Sequence, residues 1–314
     1  MSKVAKAAVG LMAATLVAKI LGFGRELALA SAYGASGVSD AFLVAMNIPA
    51  VIFTAIGTSL GTAFIPLYCE VNANKGEQSS NKFTNNVFNI VVIICIVISV
   101  IGAIFTPQIV KIFAVGFEGE TLRLAIYFTR VMILGLAFLG MSYIMMAYLQ
   151  VKENFIIPGF MSVPYNILII ISIIVSVKIS PYLLPWGTLI GLSLQFLFQL
   201  PFAIKKGYRY KLYIDVKDEH LKRMLWLIAP VLIGVAVNQI NTIVDRTIAS
   251  TLVEGSISAL NYATKLNQFV MGMFIVSISS VVYPMLSKLS SENNKEQFNK
   301  SIITSVNTVT LLVI

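Results

Sequence analysis

Long apolar stretches separated by short polar ones dominate this 314-residue chain. Uncharged runs occupy 41–69, 83–110, 131–151, 154–177, 179–204, 224–244 and 266–287. Each run is at least as long as the roughly 20 residues with which an α-helix crosses a bilayer. A membrane β-barrel would instead show segments of about ten residues with alternating polarity. The pattern therefore predicts an all-α, polytopic membrane protein.

Nine transmembrane helices follow from these runs and their charged extensions. We expect helices near 4–32, 40–68, 83–106, 120–150, 156–178, 182–204, 222–250, 255–287 and 300–314. Composition supports this class, because only 12% of the residues are charged and 57% are hydrophobic. Soluble globular proteins carry about 25% charged residues.

Two parts of the chain repeat at a nearly constant offset. Three pairs of identical residues are 218 positions apart: Pro66 and Pro284, Gly37 and Gly255, and Lys82 and Lys300. Six predicted helices separate the copies, and this even number gives both copies the same orientation, as in parallel repeats. We therefore expect a six-helix lobe with a basic linker at 1–218. The first three helices of a second, C-terminally truncated lobe are expected at 219–314.

Basic residues concentrate on one side of the predicted membrane. With a cytoplasmic N-terminus, the outside loops hold only Lys111 and Lys178. The inside segments hold fifteen basic residues: Lys3, Lys6, Lys75, Lys82, Lys152, Lys205, Lys206, Arg209, Lys211, Lys217, Lys222, Arg223, Lys288, Lys295 and Lys300. The positive-inside rule predicts this orientation and explains most of the +9 net charge without a nucleic-acid partner. The dense stretch 205–223 is also suited to anionic lipid headgroups.

Five cations lie inside or near the ends of the apolar runs: Lys19, Arg25, Arg130, Arg246 and Lys265. A charge at the bilayer centre costs at least about 2.5–3.5 kcal/mol, so such residues usually face a water-filled cavity. Guanidinium and ammonium groups bind phosphate through charge-assisted hydrogen bonds. The cations therefore predict an anionic, phosphate-bearing ligand. The sequence lacks HExxH, Walker and CxxC motifs, which favours a protein that is not an enzyme.

A family resemblance rests on four motifs: KILGFGRELALASAYGASGVSDAFLVAMNIP at 19–49, TRVM at 129–132, NQINTIVDRTIAS at 238–250 and GSISALNYATKLNQF at 255–269. The chain resembles the MurJ (MviN) lipid II flippases of the multidrug/oligosaccharidyl-lipid/polysaccharide exporter superfamily. The resemblance implies two six-helix lobes facing a central cavity in the bacterial inner membrane. It also implies that alternating access moves an undecaprenyl-diphosphate-linked peptidoglycan precursor to the outer leaflet. Membrane lipids and the cell-wall synthesis machinery are the other implied partners.

The charge pattern and the resemblance together select the substrate-binding candidates. Lys19, Arg25 and Lys265 occupy positions that match the family motifs, and Arg130 is a fourth candidate. Lys19 lies about 22 Å of helix rise from residue 4, too deep to reach the cytoplasmic face easily. Pairing with an intramembrane acid is the alternative role for Lys19. Lysine at 19 and 265 replaces the family's commoner arginine and gives up bidentate phosphate geometry.

Four further residues are structural or gating candidates: Glu26, Asp40, Pro49 and Arg246. Glu26 shares a helical stripe with Lys19. Asp40 opens the second helix, where its charge suits the helix dipole, or it pairs with Arg25. Pro49 interrupts the same helix as a hinge or a static kink. Arg246 is expected to be compensated locally by Asp245.

Asp245 carries the single cofactor expectation. The resemblance implies a sodium ion at this acid in some family members, whereas an interhelical ion pair with Lys265 or Arg246 is the alternative.

Three function classes stay open for the chain. They are a flippase or exporter of lipid-linked saccharides, a cation-coupled multidrug exporter, and a non-transporting scaffold for cell-wall assembly. A drug exporter would need intramembrane acids, yet the deep charges are mostly basic.

Overall fold

The computed structural model describes residues 3–269 and 295–313, and within these ranges it is built of helices. Their bounds are α1 Lys3–Tyr33, α2 Gly37–Ile104, α3 Thr106–Phe113, α4 Gly119–Met132, α5 Leu136–Val151, α6 Ile156–Phe160, α7 Ser162–Lys178, α8 Leu184–Lys205, α9 Glu219–Ala249, α10 at 256–269 and α11 Lys295–Val313. The all-α prediction is therefore confirmed. Six stretches of the described chain are long and apolar enough to cross a membrane. The full count of nine helices stays a prediction.

Helix α2 is a hairpin of two helical arms, at 37–75 and 77–104, which reverses at Gly76. Gly76 has φ 78° and ψ 177°, a conformation that is almost confined to glycine. The rings of Phe64 and Phe83 stack at 5.7 Å, whereas nineteen residues of straight helix would span about 28 Å. The predicted helices at 40–68 and 83–106 are thus both present. Their polar connection is also helical, because each arm extends to the turn.

The reversal at Gly76 makes a direct stability prediction. Gly76→Ala should lower the unfolding free energy by about 1–3 kcal/mol, because alanine is strained at this positive φ. Gly61→Ala is the matched control, since nothing lies within 4 Å of a Cβ added at that helical position. Thermal unfolding in detergent should show a lower midpoint for Gly76→Ala only. Equal midpoints for the two variants would contradict the role of the turn.

The prolines of the first α2 arm do not break it. Pro49 and Pro66 both lie inside the helix, and the residue of α2 with non-helical torsions is Gly76. The hinge or static kink expected at Pro49 lies inside this helical arm and stays a prediction. Pro49 still lacks a backbone donor, and a helix interior accommodates such a residue by leaving one carbonyl free.

The described chain forms two compact units, Met1–Leu260 and Asn261–Ile314. The core of the first unit lies between the α2 arms, α5 and the start of α9. Its largest members include Tyr68 and Tyr148, whose rings meet edge to face at 5.8 Å. Leu221 and Met224 of α9 join this core. The second unit holds the rest of α10 and α11. Pro284 lies outside the described residues, so the proposed repeat and lobe boundaries stay predictions.

Candidate functional site

A cavity of about 340 Å³ lies between α1, the first arm of α2, α5, α7 and α8. Apolar side chains form most of its wall, and a smaller number of polar groups enter it. The polar lining residues are Arg25, Thr54, Tyr143, Ser162, Tyr165, Asn166, Thr188 and Gln195. An apolar pocket with a few converging polar groups is the usual form of a ligand site. We call this space the Arg25 cavity.

Arg25 is fixed at this cavity by three neighbours. Its Nη2 lies 2.6 Å from Glu26 Oε1, and its Nη1 donates to Asn166 Oδ1 at 3.2 Å. The guanidinium carbon also lies 5.9 Å from the centre of the Tyr165 ring. Both charges are shielded from solvent, since the Arg25 and Glu26 side chains are 16% and 6% exposed. The arginine is therefore oriented and partly neutralised, and it does not pair with Asp40.

Lys19 lines a second cavity, of about 380 Å³, which we call the Lys19 cavity. Its side chain is exposed, and the cavity runs between α1, the end of α5 and the α6–α7 turn. The two cavities are adjacent, because Met161 and Ser162 line both of them. Lys19 and Arg25 are six residues apart, about 9 Å of helix rise. The helix thus places two cations along one path.

The other two predicted substrate residues lie elsewhere. Arg130 is exposed in the last turn of α4 and does not line either of these cavities. Lys265 belongs to the second unit, where its Nζ lies 3.4 Å from Gln268 Oε1 on the same helix. The substrate-binding roles of both residues stay predictions.

Asp40 is buried at a junction between the starts of α2 and α10. Its Oδ2 accepts from the backbone N–H of Gly255 at 2.7 Å, and its Oδ1 accepts from that of Ser258 at 2.7 Å. The Ser258 hydroxyl also donates to Oδ1. The first N–H groups of a helix have no partner inside the helix and attract negative charge. Asp40 therefore caps α10 and joins the start of α2 to it.

The capping contact joins residues at the offset of the predicted repeat. Asp40 and Ser258 are 218 residues apart, which is the offset found in the sequence. Gly255, at φ 89°, lets the two segments of the chain approach, because an added Cβ would lie 2.6 Å from the carbonyl oxygen of Ala35. We call the contact of 35–40 with 250–258 the α2–α10 junction.

Neighbouring elements also hold the connection between α9 and α10. Thr121 at the start of α4 donates to Glu254 Oε1 at 2.9 Å. The backbone N–H of Gly116 donates to Ser250 Oγ at 3.1 Å. Thr247 donates to the carbonyl oxygen of Ile112 at 3.0 Å. These hydrogen bonds support the Asp40 contact, and the one to the Glu254 carboxylate is charge-assisted.

Arg246 faces α2. Its Nη1 lies 3.4 Å from the carbonyl oxygen of Leu43, and the charge of Glu26 attracts it. The structure thus gives Arg246 partners on other helices, beyond the local compensation expected from Asp245.

Asp245 is exposed, and no group of three His, Cys, Asp or Glu side chains suited to a metal occurs among the described residues. The described residues do not by themselves form a sodium site at Asp245, so that ion stays a prediction.

Sequence reasoning missed the partners that orient the charged groups. Asn166 is a polar residue within an apolar run, and an isolated polar residue in such a run indicates a partner on another helix. Ser258 lies 218 residues from Asp40, but an offset between repeats does not predict a contact, so this partner gave no signal in the sequence. Adjacent charges on a helix point about 100° apart, so the Arg25–Glu26 pair was not expected from spacing. The long arginine side chain reaches back and closes that angle.

Comparisons with known proteins agree with this architecture. A family model described as Lipid II flippase MurJ matches residues 29–314. The chain is 29% identical to the probable lipid II flippase MurJ of Buchnera aphidicola subsp. Baizongia pistaciae (strain Bp), across 98% of the chain and 61% of that protein. It is 28% identical to the lipid II flippase MurJ of Burkholderia cenocepacia, across 91% of the chain and 57% of that protein. The chain therefore spans about three fifths of the length of these relatives.

Solved structures give the same result. A lipid II flippase MurJ in an inward closed conformation superposes with a TM-score of 0.80 at 30% identity, over 97% of the chain and 63% of that protein. An inward-facing multidrug resistance MATE family transporter gives a TM-score of 0.68 at 14% identity, over 97% of the chain and 71% of that protein. The second likeness shows the shared fold alone.

Proposed function

Because the chain belongs to the MurJ lipid II flippase family, we propose that it forms part of a transporter that moves a lipid-linked diphosphate across the bacterial inner membrane. The observation that carries the proposal is Arg25, held by Glu26 and Asn166 where it lines the Arg25 cavity. The relatives are named for lipid II, and a peptidoglycan precursor on an undecaprenyl diphosphate carrier is the substrate that we propose for this chain.

The two cations of α1, Lys19 and Arg25, are proposed to contact the diphosphate in different ways. The contacts to Glu26 and Asn166 use two of the five N–H groups of Arg25, which leaves donors for phosphate oxygens. Pre-orientation lowers the entropy that ligand binding must remove from the arginine side chain. Lys19 is exposed and adds a mobile point charge about 9 Å along the same helix. A diphosphate carries enough charge to contact both.

Alternating access requires that one end of the cavity closes while the other opens. We propose that the α2–α10 junction is the closed end in this conformation. Asp40 forms its charged contact, and the hydrogen bond from Thr121 to Glu254 adds to it. Opening would separate Asp40 from two backbone N–H groups, so the junction sets the free energy of the closed state.

A drug exporter of the same fold needs acids that are available to a cationic ligand. Glu26 and Asp40 are the buried acids of the described chain, and both are engaged within the protein. This favours the anionic lipid substrate. Contacts with cell-wall synthesis proteins stay a prediction. A transport measurement distinguishes a transporter from the alternative, a non-transporting scaffold.

Lys19→Gln tests the proposal in cells. Loss of one charge-assisted phosphate contact, of about 1.5–3 kcal/mol, should lower transport by about 10–150-fold. Lys178→Gln removes the same charge from an exposed site at the end of α7 and is the matched control. Complementation of a depleted strain by the complete gene product should fail or weaken for Lys19→Gln only. Full complementation by Lys19→Gln at matched expression would contradict the proposed contact.

A further inference from the structure

The linker between α8 and α9, residues 206–218, runs extended along the second arm of α2. Side-chain amides of four asparagines on that arm hold it through its backbone: Asn81 to Gly207, Asn85 to Arg209, Asn89 to Lys211 and Tyr213, and Asn86 to Asp215. The donor–acceptor distances lie between 2.8 and 3.2 Å. The linker is therefore a fixed surface element at the basic end of the protein.

Side chains alternate along the linker, as expected for extended backbone. From residue 211 onward, the residues whose carbonyl groups bind asparagine have polar or aromatic side chains, namely Lys211, Tyr213 and Asp215. The residue after each of them is apolar and exposed: Leu212 at 78%, Ile214 at 47% and Val216 at 65%. A row of exposed apolar side chains at the end of a transmembrane bundle is suited to the interfacial region of the bilayer.

A cationic cleft of about 800 Å³ lies between the linker and the second arm of α2. Lys82, Arg209 and Lys211 line it, and each of these side chains is exposed. Lys82 Nζ lies 4.4 Å from the ring centre of Tyr213. Glu77 also lines the cleft, but its carboxylate is paired with Lys152. The cleft thus has an excess of positive charge.

Asp215 of the linker carries a negative charge that acts on Lys82, so the excess positive charge of the cleft rests on Arg209 and Lys211. Asp215 accepts hydrogen bonds from the backbone N–H of Lys217 and from the Tyr213 hydroxyl, and these bonds hold its pKa below the usual range. Asp215 is therefore ionised at neutral pH and already has donors of its own. Arg209 and Lys211 have no ion-pair partner among the residues that the structure describes.

An apolar groove of about 370 Å³ lies on the other side of the same linker segment. Phe88, Phe196, Leu200 and Ile204 line it together with Tyr210. Tyr210 donates to Asn89 at 3.0 Å and meets the Phe88 ring at 5.8 Å. Arg209 lines the cleft and its neighbour Tyr210 lines the groove. One short segment therefore separates a cationic compartment from an apolar one.

We propose that the cleft and the groove together bind one anionic phospholipid of the leaflet at the basic end. The phosphate would contact Lys82, Arg209 and Lys211, and an acyl chain would occupy the groove beside Phe88. Charge complementarity selects an anionic headgroup, and the adjoining apolar groove selects a lipid over a soluble phosphate. Such a lipid would hold the linker at the membrane surface. This inference does not depend on the transported substrate.

Native mass spectrometry of the complete gene product with phosphatidylglycerol or phosphatidylcholine tests this site. The wild type should bind phosphatidylglycerol about 10–30-fold more tightly than phosphatidylcholine, because two or more cations contact the headgroup. Arg209→Gln with Lys211→Gln should remove that preference without changing the thermal midpoint. Lys205→Gln with Lys206→Gln is the matched control, since these exposed cations lie outside the cleft, and it should change the preference less than twofold.

Filling the groove provides an independent test. Leu200→Trp should weaken the binding of both lipids, because the larger side chain occludes the acyl-chain position. Equal affinity of the wild type for the two lipids would overturn the proposal, as would equal behaviour of the two double variants. Displacement of phosphatidylglycerol by millimolar glycerol phosphate would show a headgroup-only site and would also overturn it. Displacement by equimolar undecaprenyl diphosphate would show that the site belongs to the transported substrate.

Discussion

Asp40→Asn is expected to open the α2–α10 junction. Asparagine has one acceptor oxygen in place of two, and its amide would face one of the two N–H groups now bound by Asp40. The substitution also removes the negative charge from the start of α10. Loss of a hydrogen bond to a charged group costs about 1.5–3 kcal/mol. The closed state should therefore lose about 10–150-fold in relative population.

Distances between spin labels measure this opening directly. Ser31→Cys and Leu252→Cys place labels at exposed positions near the junction, with Cys69→Ser and Cys95→Ala removing the native thiols. The parent should show one short distance, and Asp40→Asn should add a longer population. Glu118→Gln is the matched control, because this exposed acid lies before α4 near the same junction. An unchanged distribution in Asp40→Asn would refute the role of Asp40.

Arg25→Met is expected to destabilise the first unit strongly. It removes the 2.6 Å ion pair to Glu26, whose side chain is 6% exposed, and removing one member of a buried pair costs about 3–5 kcal/mol. The control is Arg223→Met, which breaks the 2.8 Å pair with Glu70. Those side chains are 59% and 36% exposed, so this change should cost at most about 1 kcal/mol.

A double variant separates folding from ligand binding. Arg25→Met with Glu26→Gln removes both charges, so most of the lost stability should return. Transport should not return, because the guanidinium that is proposed to contact phosphate is still absent. Thermal unfolding and complementation measure the two effects on the same preparations. A stable double variant with wild-type transport would make Arg25 a purely structural residue.

The sequence predicted the helices more fully than the contacts between them. Hydrophobic length marked the membrane segments, because a bilayer demands about 20 apolar residues per crossing. The reversal at Gly76 was not evident, because the polar residues on either side of it are also compatible with a loop. Pro49 lies inside the first helical arm, and whether it acts as a hinge or a static kink stays a prediction.

Charged positions were found, but their partners depend on tertiary structure. Arg25, Glu26 and Asp40 all stand out as charges in apolar surroundings. Asp40 was expected to serve its own helix or Arg25, whereas it caps a helix 215 to 218 residues away. Only the repeat offset connects those positions in the sequence. The path formed by Lys19 and Arg25 likewise depends on how α6 and α7 pack beside α1.

A transport assay in vesicles tests most directly whether Lys19 and Arg25, at their two adjacent cavities, bind the transported diphosphate. The complete gene product would be reconstituted with fluorescent lipid II, and translocation would be followed by quenching of the exposed leaflet. The wild type should move lipid II, Lys19→Gln should slow it by about 10–150-fold, and Lys178→Gln should behave as wild type. Transport of a cationic dye without lipid II, or lipid II movement that Lys19→Gln leaves unchanged, would contradict a diphosphate-binding cavity.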